Sequence, residues 1–91
     1  MVENIIHHPE RERFSLALDD GGEVVLEYVR SPGAIDFNHT YVPPSARGRG
    51  LAEAIVKAGL AFARAERLRV HASCSYVAHY LEGHPDEAGQ V

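Results

Sequence analysis

Three stretches in the first half of the chain predict antiparallel strands; apolar and polar residues alternate in the first and third, and the second is mostly apolar. The stretches are Arg13 to Leu18, Val24 to Val29 and Ala34 to Val42. Asp20-Gly21-Gly22 lies between the first two and is typical of a hairpin turn, and Ser31-Pro32-Gly33 marks a second turn. Pro43-Pro44 ends the third stretch, because proline cannot donate to a sheet ladder.

The spacing of apolar residues changes to three and four after Arg47, which predicts an amphipathic helix. The residues in this register are Leu51, Ile55, Ala58, Phe62 and Ala65. Leu68 to Ala72 is then a short apolar strand, so strand, helix and strand form a crossover that places it parallel to the Ala34–Val42 strand. A second, shorter helix is predicted from Tyr76 to Leu81, ending near Gly83.

Composition narrows the class of protein. With 91 residues, 45% of them hydrophobic and 24% charged, we expect one globular domain with its core between about residues 13 and 85. A net charge of -4 argues against general binding to nucleic acid, and no apolar run approaches the roughly 20 residues of a membrane span. One cysteine and no visible signal sequence favour the cytoplasm. The histidine spacings fit no metal set.

A glycine-containing turn, Arg47-Gly48-Arg49-Gly50, lies between a strand and the long helix. The first N–H groups of a helix lack intrahelical partners and carry roughly half a positive charge, so this turn is a candidate anion site. Glycine has no Cβ to obstruct a phosphate, and Arg47 and Arg49 supply mobile positive charge. The alternative is a tight strand-to-helix connection with solvated arginines.

These residues carry a resemblance. Arg47-x-x-Gly50-x-Ala52 resembles the Arg/Gln-x-x-Gly-x-Gly/Ala signature of the GNAT N-acetyltransferase superfamily. Two flanking blocks are similar to its short YjdJ-type branch: Phe37-x-His39-Thr40-x-Val42-Pro43-Pro44, and Cys74-Ser75-Tyr76-Val77 with His84-Pro85. The resemblance implies an α+β fold with a mixed sheet of about five strands, one long central helix and a short C-terminal helix. It also implies a sheet that splays apart beside the fourth strand.

The same resemblance implies acetyl-coenzyme A as acetyl donor and an amine as acceptor, such as a lysine or N-terminal amine of a protein or a polyamine-sized molecule. It implies direct attack of that amine on the thioester. The residues implied to bind the coenzyme are Thr40, Tyr41 and Val42 for the pantetheine arm, and Arg47, Gly48, Arg49, Gly50, Leu51 and Ala52 for the pyrophosphate. In full-length relatives, extra helices and strands enclose the acceptor pocket, and this chain has no room for them. A large acceptor, a homodimer, or a module that binds coenzyme A without catalysis would each explain an open acceptor side.

Four side chains are candidates for catalysis. His39 is a candidate base, and we expect it to share an apolar strand face with Ile35, Phe37 and Tyr41; the alternative is a structural histidine. Tyr76 and Tyr80 follow the last strand, where related enzymes place a tyrosine that protonates the coenzyme thiolate, or they simply pack the helix. Cys74 is either a transient acetyl acceptor near the coenzyme sulfur or inert packing.

Overall fold

The computed structural model describes residues 4–88, which form one five-stranded sheet with two helices. The strands are Ile5–His8 (β1), Arg13–Ala17 (β2), Glu23–Ser31 (β3), Ala34–Tyr41 (β4) and Arg69–Ala72 (β5); the helices are Leu51–Ala65 (α1) and Ser75–Gly83 (α2). The spatial order is β1-β2-β3-β4-β5, antiparallel as far as β4, with β5 parallel to β4. The predicted mixed sheet and the strand-helix-strand crossover are confirmed. Within residues 4–88, neither helix is long and apolar enough to cross a bilayer.

Strand β1 had no clear signal in the sequence, because histidines occupy its positions. His7 faces α1: its ring stacks on Phe14 with centroids 4.1 Å apart, and its Nε2 lies 2.7 Å from the Tyr28 hydroxyl. His7 thus occupies a core-facing position at which the usual apolar pattern of a strand would predict an aliphatic side chain. This strand makes β2 an internal strand of the sheet.

Strand β4 contains a β-bulge that overturns one prediction. Tyr28 of β3 pairs with Phe37, but the preceding Glu27 pairs with His39, so Asn38 is an extra residue in β4. A bulge of this kind shifts the alternation of the strand and bends it. Ile35 and Phe37 are buried as expected, whereas His39 and Tyr41 are exposed on the other face. The expectation that all four share one face was therefore wrong.

Helix α1 packs on the face of the sheet that carries Leu26 and Phe37. It lies close to the sheet at Gly59, where an added Cβ would lie 2.7 Å from Leu26 Cδ2 and 2.9 Å from Phe37 Cε1. The buried positions are Leu51, Ile55, Val56, Gly59, Leu60 and Ala63. The predicted register was thus right for Leu51 and Ile55, which are buried, and for Ala58 and Phe62, which are half-buried and pack against the core, whereas Ala65 is exposed. Glycine offers no hydrophobic signal, so the centre of the contact was not visible in the sequence.

Candidate functional site

The sheet opens between β4 and β5. Their parallel ladder extends from Ala34 paired with Arg69 to Phe37 paired with Ala72, and ends there. Strand β4 continues to Tyr41, while the other chain segment turns away after Ala72 into α2. The last four residues of β4 therefore have no β5 partner. The end of the ladder is where the predicted splay would begin, and it leaves an edge of β4 backbone without a β5 partner.

Beyond β4 the chain reaches α1 through a short 3-10 turn, Pro44–Ala46, and two glycines in left-handed conformations. Gly48 has φ 83° and Gly50, the N-cap residue of α1, has φ 76°. This region of φ favours glycine, because a Cβ there crowds the following carbonyl. No side chain caps the helix at Gly50. The first-turn amides thus keep their capacity to bind an anion.

A cavity of about 240 Å³ lies at this helix start. It is lined by Val42, Ala46, Arg47, Gly48, Gly50, Leu51, Ala52, Glu53 and Tyr76. A Cβ placed on Gly48 or Gly50 would meet no atom within 4 Å, so ligand atoms can approach this backbone. The loop therefore has the form of an open anion cradle. Six of the nine residues predicted to bind the coenzyme line it, namely Val42, Arg47, Gly48, Gly50, Leu51 and Ala52.

The two arginines of the turn differ. Arg49 is exposed. The Arg47 Nε donates a 2.9 Å hydrogen bond to the Val42 carbonyl, so this side chain is anchored to the end of β4 and is less mobile than expected. Asp20 further fixes the approach to the turn: its carboxylate accepts from the Gly22 amide and the Ser45 hydroxyl, and these bonds lower the pKa of Asp20.

Thr40 and Cys74 meet across the opening. The bulge turns Thr40 toward the α1 side of the sheet, opposite Leu26, and its Oγ1 lies 3.5 Å from the Cys74 Sγ. Cys74 is half-buried and forms the N-cap of α2. Burial alone would raise the pKa of its thiol, but hydrogen bonds from Thr40 and from the Val77 and Tyr76 amides outweigh burial and lower it. The structure thus brings together two residues that lie in separate sequence blocks.

The two candidate tyrosines occupy different places on α2. Tyr76 is 39% exposed and lines the same cavity as the glycine turn. Burial, together with the charge of Glu53, raises the pKa of Tyr76, so its hydroxyl keeps its proton. Tyr80 is only 6% exposed, stacks on His84 with ring centroids 4.1 Å apart, and lines an adjoining cavity of about 250 Å³. Of the two hydroxyl-bearing rings, only that of Tyr76 lines the cavity at the glycine turn.

His39 lies on the face of the sheet opposite to α1, across from Glu27. It is exposed, and neither cavity includes it. The structure therefore places the candidate base apart from Thr40, Cys74 and Tyr76. Among residues 4–88, no group of three or more histidine, cysteine or acidic side chains is gathered in a way that could hold a metal ion.

Two features at the site were not predicted. Glu53, in the first turn of α1, lines both cavities. Asp36 of β4 binds Ser73, the residue before Cys74, through both carboxylate oxygens. A serine directly after a predicted strand and before a predicted helix is a weak signal for such a contact, and the sequence gives no reason to pair it with Asp36.

Comparison with known proteins gives a consistent picture. The family model described as GCN5-related N-acetyl-transferase matches residues 13–91. The chain is 37% identical over 82 residues to Protein NATD1 of Mus musculus and 33% identical to that of Danio rerio, covering 87% of this chain and 74% of each relative. Its fold is similar to the NMR structure of a GCN5-like protein from Staphylococcus aureus, with TM-score 0.71 and 22% identity over 96% of this chain and 85% of that one. The narrower likeness to the YjdJ-type branch stays a prediction.

Proposed function

Because this chain belongs to the GCN5-related N-acetyltransferase family, we propose that it binds acetyl-coenzyme A and transfers the acetyl group to an amine. The observation that carries the proposal is the uncapped start of α1, where Gly48 and Gly50 leave the backbone open to a cavity beside the β4–β5 gap. An open row of amides suits a diphosphate, and an unpaired strand edge suits the amide groups of a pantetheine arm. The two lie next to each other along the chain.

In this proposal the pyrophosphate binds the amides of the first turn of α1, with Arg49 adding charge from the exposed side of the turn. Arg47 keeps the end of β4 in place through its bond to the Val42 carbonyl. The pantetheine arm forms hydrogen bonds with backbone groups of Thr40, Tyr41 and Val42 and lies in the gap. Glu53 places a carboxylate on the wall of the same cavity, and its negative charge opposes that of the bound phosphates.

Acetyl transfer then follows direct attack. The amine nitrogen forms a bond to the thioester carbon, the C–S bond breaks, the amine loses a proton and the departing thiolate gains one. An alkylamine has a pKa of about 10.4, so fewer than roughly one molecule in a thousand is neutral at pH 7, and a base or water relay is needed. We assign the thiolate proton to Tyr76, because this side chain lines the coenzyme cavity.

The remaining candidates have narrower roles. His39 is exposed on the outer face of the sheet, so it serves as a base only for an acceptor that arrives from that face. Cys74 contacts Thr40 at the gap, and its lowered pKa favours the thiolate. We assign it to the wall of the thioester site, with a transient acetyl-cysteine as the alternative that a Cys74→Ala variant excludes if it retains full activity.

The test is release of free thiol when the purified protein is mixed with acetyl-coenzyme A and a panel of amines, with mass spectrometry of the acceptor. The panel contains polyamines, lysine peptides and peptides with free N-termini. Thiol release together with acetylated product supports the proposal. A melting temperature unchanged by millimolar coenzyme A would contradict it, since a ligand present at 100 times its Kd adds about 2.7 kcal/mol to stability.

A second function is favoured by one observation. Four residues join β1 to β2, namely the 3-10 turn Pro9–Arg11 and Glu12, so no α-helix between these strands covers an acceptor. A module that binds coenzyme A without turnover fits this open side. It predicts the same thermal stabilisation by coenzyme A, with no thiol release for any amine of the panel.

A further inference from the structure

The point at which β4 and β5 separate is held by a side chain. The ladder ends at Phe37 and Ala72, and the next two residues after β5 still bind β4. The Cys74 amide donates to the Phe37 carbonyl at 3.0 Å. Ser73 donates twice to Asp36: its amide to Oδ1 at 2.8 Å and its hydroxyl to Oδ2 at 2.6 Å. Both carboxylate oxygens of Asp36 thus bind one residue.

Hydrogen bonds to a carboxylate are roughly twice as strong as those between neutral groups, and two of them fix orientation as well as distance. Asp36 sits opposite Val29 and His71 in the sheet, on the face away from α1. Neither cavity includes it. The side-chain hydrogen bonds of Asp36 lead toward the site through Ser73.

Ser73 leads directly into the site. The residue after it, Cys74, is the N-cap of α2 and contacts Thr40 across the gap at 3.5 Å. Tyr76, in the first turn of the same helix, lines the coenzyme cavity. A shift of Ser73 away from β4 would move both of these residues relative to Thr40 and the glycine turn.

We propose that Asp36 is a positioning residue that sets the width of the β4–β5 gap by holding Ser73, and so places Cys74 and the start of α2 against the coenzyme. This rests on the proposed function, because the gap has a catalytic meaning only if it receives acetyl-coenzyme A. Just after the last β4–β5 pair, the Asp36 carboxylate accepts the Ser73 amide in place of a backbone carbonyl.

Three variants test the proposal. Asp36→Ala removes both contacts. Asp36→Asn keeps one acceptor oxygen for the Ser73 amide and offers an N–H to the Ser73 hydroxyl, so it should rescue most of the effect. Asp19→Ala removes an exposed carboxylate from the β2–β3 turn and serves as the matched control. All are assayed well below their melting temperatures.

The first readout is steady-state thiol release. Asp36→Ala should raise KM for acetyl-coenzyme A and lower kcat, with kcat/KM falling about tenfold or more, since a misplacement of about 1 Å near reacting groups can cost two orders of magnitude. A variant that is only less stable would lose active enzyme and keep its KM. Wild-type kcat and KM in Asp36→Ala, or a loss equal to that in Asp36→Asn, would overturn the proposal. If the protein binds without turnover, the Kd for coenzyme A replaces these constants.

The second readout does not need the reaction. Hydrogen exchange of the Cys74 amide, which donates to Phe37, should accelerate about tenfold or more in Asp36→Ala, while amides of the β2–β3 hairpin stay unchanged. Unchanged exchange at Cys74 would show that the carboxylate does not hold the gap, and would overturn the proposal. Accelerated exchange in a protein that fails to bind coenzyme A would instead refute the proposed function and leave Asp36 as a structural clamp.

Discussion

Replacing Gly50 with alanine should weaken coenzyme A binding by about tenfold or more, a loss of about 1.4 kcal/mol of binding free energy. Gly50 has φ 76° and lines the cavity at the start of α1. A methyl group here would meet no protein atom within 4 Å, so it does not disturb the core. It would instead stand on the surface that the pyrophosphate has to approach.

The same substitution also costs stability, because an L-residue in the left-handed region is strained by about 1–2 kcal/mol. Reduced freedom of the unfolded chain offsets about 0.4–1 kcal/mol of this. We therefore expect a net loss of about 1 kcal/mol, equal to a fall of about 4–8 °C in melting temperature for a domain of this size. Stability and binding must be measured separately.

Gly33 provides the matched control. It has φ 75° in the β3–β4 turn and lines neither cavity, and a Cβ added to it would meet no atom within 4 Å. Gly33→Ala should lose the same stability and keep the wild-type Kd for coenzyme A. The assay is a thermal melt without ligand, followed by calorimetric titration with coenzyme A well below both melting temperatures. Equal Kd values for the two variants would refute the argument that the Gly50 backbone receives the pyrophosphate.

Further predictions concern the thiol, the tyrosines and the aromatic core. Tyr76→Phe should lower kcat by about a hundredfold at nearly constant KM, because a positioned acid contributes that much. Tyr80→Phe should leave kcat within about threefold of wild type. The reverse order would reassign the acid to Tyr80. Thr40→Val should raise the pH midpoint for alkylation of Cys74, since the Thr40 hydrogen bond helps to lower the pKa of this thiol; an unchanged midpoint counts against that contact. Burial, followed by the charge of a neighbouring histidine, lowers the pKa of His7. The unfolded chain therefore binds the proton more readily, so the free energy of unfolding should fall as pH drops below about 6.5. Urea titrations across this pH range should give a shallower slope for His7→Gln than for the wild type. Equal slopes for the two proteins would contradict this.

The hairpin, the crossover and the glycine turn were visible in the sequence because each depends on local chemistry. Asp20-Gly21-Gly22 forms its turn through a hydrogen bond between neighbours, and Gly48 and Gly50 supply left-handed backbone without help from distant residues. Strand β1 depends on pairing with β2 and on burial of the His7 ring. A polar residue in the sequence predicts neither of these.

The arrangement of the site was less predictable, since it depends on contacts between distant segments. Counting alternate residues along β4 placed His39 on the buried face, and one extra residue reversed that assignment. The same shift brought Thr40 to Cys74, a pairing that no spacing in the sequence contains. Which tyrosine lines the cavity at the glycine turn followed from the rotation of α2, which the sequence specified only to within a turn.

The position of the bulge residue Asn38 in β4 bears on the opening in the sheet. Here the surplus residue comes directly after the last β4–β5 pair, so the bend it introduces coincides with the place where the ladder stops. The bulge and the end of the ladder thus share one position in β4, next to the Thr40–Cys74 contact.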